Sequence, residues 1–356
     1  MTPKVALIAG ASGVVGRRLA THLSGVPGWR VVGIARRVPD EDRDRGAMQW
    51  LPLDLRDAAA CRAGADSLEG VTHLFNTARY DHDTRTLESP HTNTRMLANI
   101  VDALVASGQP LEHVHLVHGT KYYGSHLGPF RTPARESDPR SLQDNFYYHQ
   151  EDHVRARHGR EGWSFSSSRP HAIVDRERPA PRSIPRVIAV YAAISKAMGL
   201  PLCFPGTPEN YRAYYQFTDA ALLARAIEWM SSTQAARNQA CNVANGDYVR
   251  WCDLWPVVAD YFGMTPGPVR TVRLADVMAD KADVWRRLVA QHGLVGTPYE
   301  EAALWAYGDF VFTPGWDIMT STTKARLLGF HDVVDSEAML LECLDRLRSA
   351  RIIPDR

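Results

Sequence analysis

The chain has 356 residues, 41 basic and 40 acidic, and 45% of them are hydrophobic. A charge this close to balance excludes nucleic acid as the expected partner. No apolar run approaches the ~20 residues of a membrane span, and an opening segment that passes straight into a strand leaves no room for a signal peptide. Five cysteines with no C-x-x-C pair predict reduced thiols in a cytoplasmic protein. Cys241 and Cys252 read as packing residues. The fourteen histidines are read as showing no H-x-x-x-H or H-E-x-x-H arrangement, and no metal site is expected. His113 and His115 alternate in a strand, whereas His149, His153 and His158 read as surface residues.

The first apolar run, Val5–Ala9, is of strand type. It ends in Gly10-Ala11-Ser12-Gly13-Val14-Val15-Gly16 and passes into a helical pattern over 14–24. Gly10 suits a tight turn, Gly13 a close approach of backbone to phosphate, and Gly16 close packing of helix on strand. Together with Ser12, Val14 and Val15 they form the expected cradle for a pyrophosphate at a helix N-terminus. A second strand over 30–35 ends in Arg36-Arg37, where a dinucleotide's adenosine ribose would lie. Two arginines and no carboxylate suit a 2′-phosphate, which predicts NADP(H) rather than NAD.

Further strands are expected over 47–51, 72–76, 113–118 and 164–169, with helices near 57–64, 91–107 and 143–159. This alternation predicts a doubly wound parallel α/β sheet of Rossmann type, with ligand at the carboxyl ends of the strands. Asp54 and Leu55 follow the third strand and are placed to meet the adenine. Asp54 also suits a helix cap. Thr77 and Ala78 follow the fourth strand and should pass the pyrophosphate and ribose. Residues 175–185 are proline-rich and read as a connection rather than the interior of a helix or strand. A helix is expected over 187–198, a short strand in 201–206, a helix from Thr218 or Asp219 to about Ser231, and a strand and turn over 240–246. The rest, 251–356, is mostly helical and tryptophan-rich. The expected division is a Rossmann core over 1–175, to which 207–247 returns, and a smaller helical substrate lobe from 176–206 and 248–356. Most of the lobe's tryptophans read as core, and the remainder suit an apolar pocket.

Short-chain dehydrogenases carry Y-x-x-x-K on one helix, the lysine lowering the tyrosine's pKa. Here that spacing fails: Glu151 stands four residues after Tyr147, and Asp152 four after Tyr148. A lysine occurs instead in the loop after the fifth strand, Gly119-Thr120-Lys121-Tyr122-Tyr123-Gly124. That segment, continuing to Phe130, and Asn145-Phe146-Tyr147-Tyr148-His149-Gln150-Glu151-Asp152 resemble signature segments of the progesterone 5β-reductase/iridoid synthase-like enzymes, atypical extended short-chain dehydrogenases. Ala35-Arg36-Arg37, Arg169-Pro170, Pro201–Gly206, Asn242–Asp247 with Trp251, and Ile352-Ile353-Pro354 extend the resemblance along nearly the whole chain.

The resemblance implies reduction of the carbon–carbon double bond of an α,β-unsaturated carbonyl by NADPH. It places Tyr147 and Lys121 at the catalytic positions and Phe130 in the substrate pocket. The backbone from Pro170 through Ile173 would pass the nicotinamide. The partner implied is a small-molecule enone or enal, and a homodimer is compatible with all of this. Where the family continues Gly-x-Ile-Phe-Gly, this chain has His171-Ala172-Ile173-Val174-Asp175, which leaves the substrate open. Three alternatives stand beside this reading. One is 1,2-reduction of a carbonyl, and another is a catalytically silent NADP-binding regulator. The third, sugar-nucleotide epimerisation, is disfavoured by the two arginines and the displaced lysine.

Overall fold

The computed structural model describes residues 3–39, 48–80 and 89–355. Seven strands form one sheet: β1 (Lys4–Ala9), β2 (Trp29–Ala35), β3 (Gln49–Pro52), β4 (His73–Asn76), β5 (His113–Val117), β6 (Ser164–Pro170) and β7 (Gln239–Val243). Residue 47, the first of the expected third strand, lies outside the described residues. The spatial order is β3-β2-β1-β4-β5-β6-β7, and every neighbouring pair is parallel. The order reverses between β1 and β4, the position at which doubly wound sheets bind ligands. Register brings the strand ends level: Ala9 sits opposite both Ile34 and Asn76, and Asn76 opposite Leu116.

Helices cover both faces, as buried parallel strands require. α1 (Val14–Ser24) and, later in the chain, α6 (Ala220–Ser232) pack on one face through Leu19, Leu23, Leu223 and Ile227. α2 (Ala58–Asp66), α3 (Pro90–Ala106) and α4 (Phe146–Glu161) cover the other through Cys61, Leu97, Ile100 and Val154. The cap of α2 is Asp57, whose carboxylate accepts from the N–H groups of Ala59 and Ala60. Asp54 therefore does not cap this helix, correcting one of its two expected roles.

α5 (Ile184–Ala197) begins earlier than expected, inside the proline-rich stretch. Pro185 occupies its first turn, where a missing N–H costs nothing. With α7 (Trp251–Tyr261), α8 (Trp305–Phe312) and α9 (Ser336–Ser349), α5 encloses a separate core. Trp251, Trp255 and Trp285 are fully buried there, whereas Trp305 and Trp316 are only partly buried against it.

β5 and β6 carry an uncommon buried polar ladder. The His113 ring bonds the hydroxyls of Ser164 and Ser166, each at 2.8 Å. The His115 ring bonds Ser166 at 2.8 Å and Ser168 at 3.0 Å. Burial pushes the imidazole of His115 down to about 3 and that of His113 well below its ordinary value. Two of the histidines expected at the surface differ: His153 and His158 are half-buried, and His158 packs against Trp163 and Phe165. His149 and His153 do stand four apart on α4, but their carboxylate neighbours are separate ones, Asp144 at 2.6 Å and Asp102 at 3.6 Å.

Candidate active site

The cradle is built from backbone. Gly10 ends β1 with φ +81°, and a Cβ there would stand 2.8 Å from both N and Cα of Ala78. The Thr77 N–H donates to the Ala9 carbonyl at 3.0 Å, and its hydroxyl donates to the same oxygen at 2.7 Å. The first turn and the end of β4 are thus clamped together. A Cβ on Gly16 would collide with the Gly10 carbonyl and lie 2.7 Å from Thr77 Oγ1. Gly13 caps α1 without a side chain, and no acidic residue occupies the first turn. Ser12 and Gly13 are exposed beside the half-buried Val14 and Val15. The N–H groups of this helix end suit a phosphate.

At the adenosine end Arg36 and Arg37 are exposed just beyond β2. The Asp54 carboxylate is engaged by Arg56, at 2.6 Å from Nη2 and 3.0 Å from Nε. The Arg56 hydrogen bond, with a smaller contribution from the charge of Arg36, holds Asp54 below the ordinary carboxylate range. Arg56 also lies over the Tyr80 ring at 4.9 Å. Leu55 is buried, and its carbonyl accepts from Asn99 Nδ2 at 2.8 Å. The region is more basic than sequence reasoning held, because Asp54 is paired with a third arginine.

At the other end of the cleft, Gly119 follows β5. A Cβ on it would lie 3.3 Å from the Pro170 carbonyl oxygen and 3.3 Å from the Tyr147 hydroxyl. The tips of β5 and β6 and the start of α4 thus meet at one residue without a side chain. Tyr147 is buried, and its ring is stacked on His118 with centroids 4.7 Å apart. Burial pushes His118 down to about 3, so the ring beneath the phenol is neutral. Lys121 lies on the short turn Thr120–Tyr123, with Nζ 5.7 Å from the centroid of Phe310 on α8. Phe130 packs between the lobe core and the cluster formed by Tyr122, Tyr123, Phe146, Tyr147 and Tyr148. Ile173 pairs with Thr218 beside the end of β6.

One residue couples Lys121 to Tyr147. Asn145 Oδ1 accepts from the Tyr147 N–H at 3.0 Å, capping α4, while its Nδ2 donates to the Lys121 carbonyl at 3.3 Å. The Tyr148 hydroxyl donates to the Tyr122 carbonyl at 2.6 Å, a second tie between the same two elements. Glu151, at the position where Y-x-x-x-K would place lysine, accepts from the Tyr122 hydroxyl at 2.8 Å and from Arg155 Nη2 at 2.7 Å. Burial pushes the Glu151 carboxyl up, but Arg155, Tyr122 and the charge of Arg169 outweigh it and hold it at about 2. The buried Arg169 guanidinium lies 3.4 Å from the Tyr122 ring centroid and donates to the Tyr123 hydroxyl at 3.0 Å. The carboxylate four residues after Tyr147 thus holds the Lys121 turn through Tyr122.

A model of the PRISE-like Rossmann-fold domain matches residues 56–354. The chain belongs to this family. An (S)-8-oxocitronellyl enol synthase of Nepeta cataria is 33% identical over 368 residues, spanning 98% of this chain and 92% of that protein. The 3-oxo-Delta(4,5)-steroid 5-beta-reductase of Arabidopsis thaliana is 31% identical over 366 residues, spanning 98% and 93%. Among solved structures, a UDP-glucose 4-epimerase of Thermotoga maritima aligns with TM-score 0.68 at 14% identity, covering 97% of this chain and 99% of that one, a likeness of fold alone.

In this PRISE-like chain the sequence-expected residues fall into two groups. Gly10, Gly13, Gly16, Thr77 and Ala78 meet at the cradle, and Tyr147 meets the Gly119–Pro170 tip. Asn145, Arg56 and His171 received no role from sequence reasoning. A signal existed for two of them: Asn145 immediately precedes a helical pattern, the usual place for a cap, and Arg56 stands two residues after Asp54. His171 carried no such signal.

Proposed function

We propose that this PRISE-like protein is an NADPH-dependent reductase of activated carbon–carbon double bonds, acting on enones or enals. The reading is carried by Asn145, which ties the turn bearing Lys121 to the first helical turn bearing Tyr147 beside the Gly119–Pro170 tip. The curated relatives, one an enol synthase and one a steroid 5-beta-reductase, support it. The cofactor is a nicotinamide nucleotide, as the glycine cradle befits. Arg36 and Arg37, with Asp54 neutralised by Arg56, favour the form bearing a 2′-phosphate.

When bound, the nicotinamide supplies a hydride to the substrate's β-carbon. Negative charge then develops on the carbonyl oxygen. The Tyr147 hydroxyl and the Lys121 ammonium donate hydrogen bonds to that oxygen, and these bonds strengthen as the enolate forms. The buried, neutral His118 under the phenol holds the Tyr147 ring, and the Asn145 tie holds the backbone of the turn that carries Lys121, before substrate arrives. The enolate carries the charge to the α-carbon, which takes a proton from solvent, and the saturated carbonyl compound leaves.

Incubation with NADPH and 2-cyclohexenone, citral or progesterone tests the reading. Saturated ketone or aldehyde is the expected product by gas chromatography–mass spectrometry. Allylic alcohol alone would instead assign 1,2-reduction.

A further inference from the structure

The connection between β6 and α5 begins beside Lys121 and ends in a second cation. Its first residue, His171, has ring Nδ1 2.7 Å from Thr120 Oγ1, on the residue immediately before Lys121. Further on, the Asp175 carboxylate accepts from Arg18 Nε of α1 at 3.0 Å. The last stretch, leading to Arg182, is knitted to the segment that enters α8. The Leu304 N–H donates to the Pro181 carbonyl at 3.0 Å. The buried Arg186 guanidinium donates to the carbonyls of Ala302 at 2.7 Å, Glu301 at 3.2 Å and Pro179 at 3.3 Å. A Cβ on Gly308 would lie 2.8 Å from Val187 Cγ1, so α8 sits hard against α5. Arg182 and α8 therefore belong to one wall.

On that wall Tyr307 and Phe310, one helical turn apart, share a face of α8. Their rings are stacked, with centroids 6.4 Å apart and planes 18° from parallel. Lys121 Nζ lies over the Phe310 ring at 5.7 Å, and the Arg182 guanidinium lies over the Tyr307 ring at 5.6 Å. Each ring of the pair thus carries its own cation, and Phe310 and Arg182 are both exposed. Burial pushes the Tyr307 phenol up, against the charges of Arg182 and Arg79. Arg79 follows Ala78 at the cradle, so positive charge reaches this ring from that side as well. An aromatic face steadies a guanidinium without engaging its N–H fork, and that fork matches both oxygens of a carboxylate.

We infer that Arg182 is a specificity-determining residue that pairs with a carboxylate of the substrate, while Tyr147 and Lys121 serve its carbonyl oxygen. This inference rests on the proposed enone reduction and narrows it to enones or enals that carry an acid away from the reacting bond. Lys121 over Phe310 marks the carbonyl end, and Arg182 over the neighbouring ring marks the place of the acid. The coenzyme's pyrophosphate offers the same anionic chemistry, but Arg182 shares its wall with the ring over Lys121, which points to the substrate.

The test uses 2-cyclohexenones bearing a carboxymethyl, carboxyethyl or carboxypropyl chain, each beside its methyl ester, in wild type, Arg182→Gln and Arg182→Lys. Intrinsic reactivity, and any general effect of a substitution on turnover, cancel when the ratio of kcat/KM, acid over ester, is compared between proteins. For at least one chain length the ratio is expected to fall about tenfold in Arg182→Gln. It should recover in part in Arg182→Lys, which keeps the charge but not the fork. The matching saturated keto acids and esters, bound to the NADP complex and read by ligand-observed NMR, should show the same loss without any turnover. Added salt should shrink the wild-type preference for the acid. An unchanged ratio at every chain length overturns the role of Arg182. A loss of NADPH affinity with acid and ester affected equally also overturns it, and moves the guanidinium to the coenzyme. Absence of enone reduction by wild type overturns the underlying reading instead, and the binding ratio still reports on Arg182.

Discussion

The two ends of the cleft are made of different material. The cradle is backbone: Gly10, Gly13 and Gly16 leave space, and helix and strand ends fill it. The junction at Gly119 is side chain: Asn145, Tyr148, Glu151, Arg169 and His171 reach across from segments far apart in the chain. A site of the first kind tolerates variation at exposed positions and fails where a Cβ is added. A site of the second kind depends on every member of a network, because each hydrogen bond left open inside the protein is costly. Substitutions at the cradle should therefore act on cofactor affinity, and those at the junction on turnover.

The sharpest break in that contrast comes from Tyr147→Phe and Lys121→Met. Each should lower kcat by ~100–1,000-fold, the effect of losing one donor to a developing oxyanion. NADPH affinity, read by fluorescence titration, should stay unchanged. Arg36→Ala with Arg37→Ala should do the reverse, weakening NADPH by about tenfold or more through lost charge-assisted bonds. NADH binding and kcat should hardly move, and equal losses for both nucleotides would remove the 2′-phosphate reading.

Acid sharpens the comparison further. His73, His115, His118 and His171 are held at about 3 chiefly by burial, with the charge of Lys4 adding for His73 and that of Arg169 for His118. The unfolded chain protonates them near 6.5. Below that pH the unfolded state binds more protons, so their contribution is intact above 6.5 and is lost as pH falls from about 6.5 towards about 3. Each costs about 1.4 kcal/mol per pH unit within that window. These rings line the sheet interior and the junction, not the cradle. Urea midpoints at pH 7.5 and 5.5 should therefore differ clearly, and His118→Leu should reduce the difference by about a quarter.

Asn145→Ala removes the cap of α4 and the tie to Lys121. It should lower stability by about 1 kcal/mol in urea unfolding and reduce kcat more than the KM for NADPH. Ala172→Gly is expected to have the smallest effect. Ala172 stands at φ +40°, so the change relieves a left-handed residue at a cost of chain entropy, for a net gain below about 1 kcal/mol in thermal unfolding.

The same contrast explains what could be read from the chain. The cradle was legible because its parts lie within a few residues of each other and each glycine has a local steric reason. The alternation of strands and helices was legible because buried parallel strands are continuous apolar runs. The junction was legible only through resemblance: Tyr147 and Lys121 could be named, but the long-range bonds that hold them join residues 24 to 51 positions apart. No periodicity records such contacts. Asp54 shows the limit at short range, since nothing in Asp54-Leu55-Arg56-Asp57 says that Arg56 takes one carboxylate and the helix end takes the other. Pro185 shows another, because a proline that forbids a helix interior is welcome in its first turn.

The serine–histidine ladder of β5 and β6 has one more consequence. A purely apolar pair of strands could slide by a residue or two and still find grease on either side. Here a slip of one would turn three serines and two imidazoles to the wrong faces and break four bonds at once. The ladder thus acts as a ratchet tooth between the two strands, and their tips, Gly119 and Pro170, arrive side by side as a matter of counting rather than chance.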